Sequence, residues 1–316
     1  MAEIAWIASY PKSGNTWLRF MLHRYLTGEM PVGGGNSTVP SLDDLLRSGD
    51  GVDLNGTGPA LVKTHFHPGK GVMQLYRPYT TKAVCIVRNP RDVLLSAIRH
   101  FGITDMADAQ EFAKDFIAND GASVWRDSSG IGTWPESVRD WTEPDVVRTF
   151  MPGIDVLAVR YEDMRGDPAG ELRKIVDFLD LGRAVDPEEV ERTVADTSIE
   201  KMRERNVVTM GRLPQIMRRK SGGQDGAGGQ RPVTVQRQGQ GAEHGPAQGK
   251  TAVMSRPEGQ GPAAASSLGV PGKLVGEGRT NQSLRHLGDD IEDAYVELLR
   301  KPGEFSRCAA RFGYDR

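Results

Sequence analysis

Apolar and polar positions along the first thirty residues change period once. Ile4-Ala5-Trp6-Ile7-Ala8 is a continuous apolar run closed by Ser9-Tyr10-Pro11, the pattern of a short strand buried on both faces. From Thr16 the spacing becomes helical. Trp17, Leu18, Phe20, Met21, Leu22, Tyr25 and Leu26 form the apolar side, and Gly28 is the stop. Strand, short loop and helix in direct succession open a βα unit. Ala60-Leu61-Val62 predicts a second strand, running into Lys63-Thr64-His65. Residues 83–87 predict a third, running into Arg88-Asn89-Pro90, and 155–159 a fourth, running into Arg160-Tyr161-Glu162-Asp163. Helices are predicted at 41–47, with Ser41 as N-cap, and from Pro90, with Asn89 as N-cap, through Val93, Leu94, Ser96, Ala97 and Ile98. Further helices are predicted at 107–118, 134–142 (Trp134 and Trp141 on one face), 168–180, 187–205 and 288–300. This alternation predicts an α/β fold with a central parallel sheet flanked by helices.

Composition then divides the chain. Of 38 glycines in 316 residues, 13 fall in 221–272, together with seven glutamines and no aromatic residue. All periodicity is lost over 213–272, which predicts a mobile insert in a single domain spanning 1–316. Order is expected to return over 273–316. A net charge of −2 gives no overall field for nucleic acid. No apolar run approaches the roughly 18 residues needed to cross a bilayer, and the first residues do not follow a secretory signal pattern. Cys85 and Cys308 form no C-x-x-C, so neither a disulfide framework nor a structural zinc is expected. The default location is the cytoplasm.

Tyr10-Pro11-Lys12-Ser13-Gly14-Asn15-Thr16-Trp17 lies between the first strand and the first helix, where α/β sheets bind anions. Gly14 permits a turn that points backbone N–H groups inward. Lys12 supplies a cation, and Ser13, Asn15 and Thr16 supply polar donors. The order of residues differs from a Walker A loop, because Lys12 precedes Gly14. Arg88 ends the third strand and Ser96 follows eight residues later. Together they can place a guanidinium and a hydroxyl around a second phosphate near a helix N-terminus. The pair of elements points to a ligand with two separated phosphate-like groups.

These motifs resemble those of the cytosolic-type sulfotransferases, which use 3′-phosphoadenosine 5′-phosphosulfate (PAPS). Residues 10–17 resemble the family's 5′-phosphosulfate loop, and Val87-Arg88-Asn89-Pro90-Arg91-Asp92 with Ser96 its 3′-phosphate motif. Arg160-Tyr161-Glu162-Asp163-Met164 and residues 196–202 resemble its next two blocks. The resemblance implies a three-layer sandwich like that of P-loop NTPases. More finely, residues 112–119, 134–138, 275–279 and 282–284 are similar to bacterial sulfotransferases that tailor glycopeptide antibiotics of the teicoplanin aglycone type.

The resemblance implies His65 as catalytic base, with Lys12 and Lys63 contacting the sulfuryl group. A neutral imidazole near pH 7 suits that role. It implies Trp17 over the adenine, with Tyr161 and Thr197 at the base. Ile199 stands where relatives often carry an aromatic ring, and His67 has no matching motif position. For the 3′-phosphate clamp two stretches compete, Gly278-Arg279 and Arg218-Arg219-Lys220, with the first preferred. PAPS is the implied cosubstrate and no metal is expected. The implied acceptor is a hydroxyl, phenolic in type, on a small-molecule or peptide natural product, with a homodimer left open. Two other readings stay open: a nucleotide-dependent phosphotransferase, and a nucleotide-binding protein without catalysis.

Overall fold

The computed structural model describes residues 3–31, 38–56, 58–204 and 279–315. The predicted insert at 213–272 lies outside the described residues, as do Gly278 and Arg218-Arg219-Lys220.

In chain order the elements are β1 (Ile4–Ser9), α1 (Asn15–Thr27), α2 (Leu42–Ser48), β2 (Ala60–Thr64), α3 (Gly71–Leu75) and β3 (Thr80–Val87). Then come α4 (Pro90–His100), α5 (Met106–Ala118), α6 (Ser123–Ser129), α7 (Trp134–Thr142), α8 (Pro144–Phe150) and β4 (Asp155–Arg160). There follow α9 (Tyr161–Gly166), α10 (Pro168–Leu179), α11 (Pro187–Asp196) and α12 (Ile199–Glu204) and, late in the chain, α13 (Asp289–Arg300) and α14 (Glu304–Arg311). All four predicted strands form. They pair in parallel in the order β2-β1-β3-β4, with Trp6 opposite both Val62 and Ala83.

The apolar run of β1 is continuous because both of its faces are covered. Ile4, Trp6 and Ala8 pack into one core with Phe112, Trp134, Tyr295 and Phe305. Ala5 and Ile7 pack into the other with Leu18, Met21, Ile175 and Val190. Helices therefore lie on both sides of the sheet, giving three layers. The paired tryptophans of α7 are both buried, and their indole N–H groups reach the ends of two strands. Trp134 Nε1 donates to Arg88 O at 3.3 Å and Trp141 Nε1 to Phe66 O at 3.0 Å.

The predicted helix at 187–205 is in fact two. The chain breaks at Thr197, whose Oγ1 donates to Thr193 O at 2.7 Å and whose own carbonyl accepts from Trp17 Nε1 at 2.9 Å. A carbonyl turned toward a tryptophan no longer continues the helical ladder, and Ser198 restarts it by accepting from Lys201 N through its Oγ.

From β1 the chain passes to β2 on one side and returns to β3 on the other. The strand order reverses at β1, and the carboxyl ends of such strands frame a ligand crevice. Residues 10–14, His65, Arg88 and Tyr161 all follow directly on strand ends at that edge.

Candidate nucleotide and transfer site

The loop after β1 is built to present backbone N–H groups. Lys12 and Gly14 have positive φ, 69° and 103°, on either side of Ser13, whose φ is not positive. This alternation turns successive amides to one side. Gly14 caps α1, and its carbonyl accepts from Trp17 N at 3.0 Å and Leu18 N at 3.3 Å. The amides of Asn15 and Thr16 precede those bonds and open at the positive end of the helix. A Cβ on Gly14 would lie 2.4 Å from Tyr161 Cδ2, so both space and backbone conformation require glycine there.

The side chains around the loop divide into fasteners and open groups. Asn15 is a fastener: its Nδ2 donates to Ile7 O at 3.0 Å and to Ser9 Oγ at 3.1 Å. Its Oδ1 has no hydrogen-bond partner among the described residues. Ser13 Oγ is buried with no hydrogen-bond partner among the described residues. Thr16 is partly buried in the first turn of α1. Burial and the charges of Arg88 and Arg99 pull the Lys12 ammonium down to about 8.

Arg88 joins the loop after β1 to the segment at Arg279. Its Nη1 donates to Lys12 O at 2.9 Å and its Nη2 to Arg279 O at 3.0 Å, while Nε is buried with no hydrogen-bond partner among the described residues. The guanidinium lies 4.2 Å from the centre of the Tyr161 ring. Tyr161 is thus held between Arg88 and the close contact at Gly14, and meets Trp17 edge-on at 6.0 Å. Thr197 is fully buried behind Trp17. Ser96 is buried on α4, two turns from Arg88.

His65 directly follows the end of β2, beside the end of β1. Its Nδ1 is 2.7 Å from Ser9 O and 3.3 Å from Ser9 Oγ. A carbonyl only accepts, so Nδ1 carries the hydrogen and Nε2 keeps its lone pair. Burial, reinforced by the Lys63 charge, holds the imidazole well below 6.5 and hence neutral. Lys63 itself is directed elsewhere. Its ammonium is 3.1 Å from Asp43 Oδ2 and 3.3 Å from Ser41 Oγ, at the start of α2. Burial lowers its pKa, and Asp43 opposes that shift.

The structure therefore brings together Lys12, Ser13, Gly14, Thr16, Trp17, Arg88, Tyr161 and Arg279. His65 stands beside them through Ser9, and Lys63 is tied back to Asp43. Sequence reasoning passed over Ser9 and Asp43, and over His100, whose imidazole burial and the Lys12 charge pull down to about 4. A basic residue one turn beyond Ser96 was the available signal for His100. His67 does not join the group. Its Nδ1 accepts from Gly69 N at 2.9 Å and its Nε2 is bonded to buried Asp140, so both ring nitrogens are engaged locally.

The sulfotransferase domain model matches residues 3–229. The chain belongs to the sulfotransferase family, a family of group-transfer enzymes. This sulfotransferase is 27% identical over 205 residues to sulfotransferase 2A6 of Rattus norvegicus, covering 64% of this chain and 67% of that one. It is 28% identical over 233 residues to sulfotransferase 1B1 of Mus musculus, covering 67% and 69%. Among solved structures it is similar to mouse sulfotransferase SULT7A1 complexed with PAP, with a TM-score of 0.45, 22% identity and coverage of 64% of this chain and 66% of that chain.

Proposed function

We propose that this sulfotransferase moves the sulfuryl group of PAPS to a hydroxyl, phenolic in type, on a bulky natural product of the glycopeptide-aglycone kind. The observation that carries the reading is Arg88: one guanidinium bonded at once to the phosphate loop at Lys12 and to the Arg279 segment, with its Nε unpartnered among the described residues. The residues present fit a nucleotide with two phosphate groups. Among the described residues, Ser13 Oγ and Arg88 Nε are buried polar atoms lacking partners, and the charges of Arg88 and Arg99 that perturb Lys12 are positive.

In this reading Lys12, Ser13 and the amides of Gly14, Asn15 and Thr16 hold the 5′-phosphosulfate. Arg88 and Ser96, with Gly278 and Arg279, hold the 3′-phosphate, and Trp17, Tyr161 and Thr197 bound the adenine. When bound, PAPS supplies an activated sulfuryl group on a phosphate leaving group. His65 Nε2 takes the acceptor's proton. Its Nδ1–H, fixed on Ser9 O, keeps that lone pair aimed outward. A low pKa makes His65 a weak base but keeps it unprotonated, which suits a phenol more than an alkyl alcohol because a phenol ionises near ~10. Lys12 neutralises charge growing on the leaving oxygen. Lys63 serves the sulfuryl group once it leaves Asp43. The glycopeptide reading is supported by residues 112–119, 134–138, 275–279 and 282–284. The test is an intact-mass assay with PAPS and a panel of phenolic peptide aglycones. Gain of one sulfo group supports the reading, and transfer confined to alkyl alcohols overturns its phenolic part.

A further inference from the structure

Asp92, in the first turn of α4, is completely buried. A carboxylate so placed needs donors to replace water. It receives three, all from one distant segment: Asn281 N at 2.8 Å, Gln282 N at 3.1 Å and Gln282 Nε2 at 3.0 Å. Asn281 is left-handed, with φ of 55°. The same segment supplies Arg279 O, the acceptor for Arg88 Nη2. Its far end is held by the neighbour of Asp92. Arg91 pairs with Glu292 at 3.0 Å, and Glu292 Oε2 accepts from Ser283 Oγ at 2.9 Å and from Leu284 N at 2.5 Å. Ser96 follows Asp92 by four residues, one turn along the same face of α4. The first turn of α4 thus grips residues 279–284, and that segment in turn holds one arm of the Arg88 guanidinium.

We infer that Asp92 is the positioning residue for recognition of the 3′-phosphate: by fixing residues 281–282 it holds the Arg279 carbonyl where it aims Arg88 toward the space beside Ser96. The inference rests on the PAPS reading above. Without the Asp92 carboxylate residues 281–282 lose their anchor while 283–284 stay on Glu292, and Arg88 keeps its bond to Lys12 O and its place over Tyr161 but loses the fixed acceptor at Arg279. Trp17 and the 5′-phosphate loop are seated on β1 and α1 and do not depend on Asp92. A merely structural role would weaken every adenine nucleotide alike, whereas a positioning role weakens only those bearing a 3′-phosphate.

Isothermal titration of wild type and Asp92→Asn with 3′-phosphoadenosine 5′-phosphate and with adenosine 5′-phosphate separates the two. Asp92→Asn is expected to reduce the preference for the 3′-phosphorylated nucleotide by about tenfold or more, with adenosine 5′-phosphate affinity held within about twofold. Equal weakening of both nucleotides, or an unchanged preference, overturns the inference. Should circular dichroism show that Asp92→Asn does not fold, Gln282→Ala removes only the side-chain bond. Its expected loss of preference is about threefold, and an unchanged preference again overturns the inference. A wild-type protein with no preference for the 3′-phosphate overturns the PAPS reading itself, so the two failures are distinguishable.

Discussion

Binding of 3′-phosphoadenosine 5′-phosphate should make the protein take up a proton, and Lys12 sets the pH at which it does so. Burial and the Arg88 and Arg99 charges hold its ammonium at about 8, against 10.5 for an ordinary lysine. That gap corresponds to roughly 3 kcal/mol of disfavoured charging. A phosphate dianion in the loop supplies the missing counter-charge and returns Lys12 to its ordinary range. In the free protein Lys12 is about one-tenth neutral at pH 7, about half at pH 8 and about nine-tenths at pH 9, so uptake per bound nucleotide should be about 0.1, 0.5 and 0.9 proton. The sign follows: the complex binds more protons than the free protein, so affinity falls as pH rises above 8, by up to about tenfold per pH unit. Titration calorimetry in two buffers of different ionisation heat measures the uptake at each pH. At pH 8 and above the ligand phosphate, with a second pKa near ~6, is already ionised. His65, held below 6.5, is neutral. Lys12→Met should abolish the uptake. Uptake below about 0.1 proton throughout pH 8–9, or full uptake in Lys12→Met, would refute the reasoning.

Other outcomes follow from the same geometry. His65→Ala should abolish sulfuryl transfer while leaving nucleotide affinity unchanged. In the wild type the acid limb of kcat/KM should fall below pH 6.5, because the folded imidazole is held below its ordinary value, and a midpoint above 6.5 contradicts this. Gly14→Ala places a Cβ 2.4 Å from Tyr161 Cδ2 at φ 103°, and should cost about 2 kcal/mol or more of stability. Wild-type Tm and wild-type nucleotide affinity in that variant would contradict the loop geometry. Asp43→Ala leaves the buried Lys63 ammonium without its counter-charge and should lower stability in urea by about 1–3 kcal/mol, a range reduced because Asp43 is partly exposed. Lys63→Met should cost less, and the reverse order would show that the pair is not what holds α2 on β2.

β1 was legible because a strand buried on both faces must be apolar at every position, as Ile4 to Ala8 are. The turn between β1 and α1 was legible because Gly14 follows directly on an apolar strand and precedes a helical period, and the structure places a left-handed Gly14 there as the cap of α1. Asn15 shows the limit of that reading: its residue type suggested a side-chain donor to a ligand, yet its amide closes on Ile7 O and Ser9 Oγ. Lys63 shows another, since its pairing with Asp43 depends on residues 40–41 lying beside β2. Asp92 stood only within the 87–92 motif, because nothing local announces that its donors lie at 281–282. Helices such as α3 and α9 run for five and six residues, too short for a 3.6-residue period to repeat.

One comparison by intact mass tests the transfer most directly. Wild type, Lys12→Ala and His65→Ala are each incubated with PAPS and phenolic peptide aglycones, after circular dichroism has shown all three to be folded. The account predicts acceptors gaining one sulfo group with the wild type and none with either variant. Transfer by either variant at the wild-type rate, or a wild type that modifies no phenolic acceptor, would contradict it.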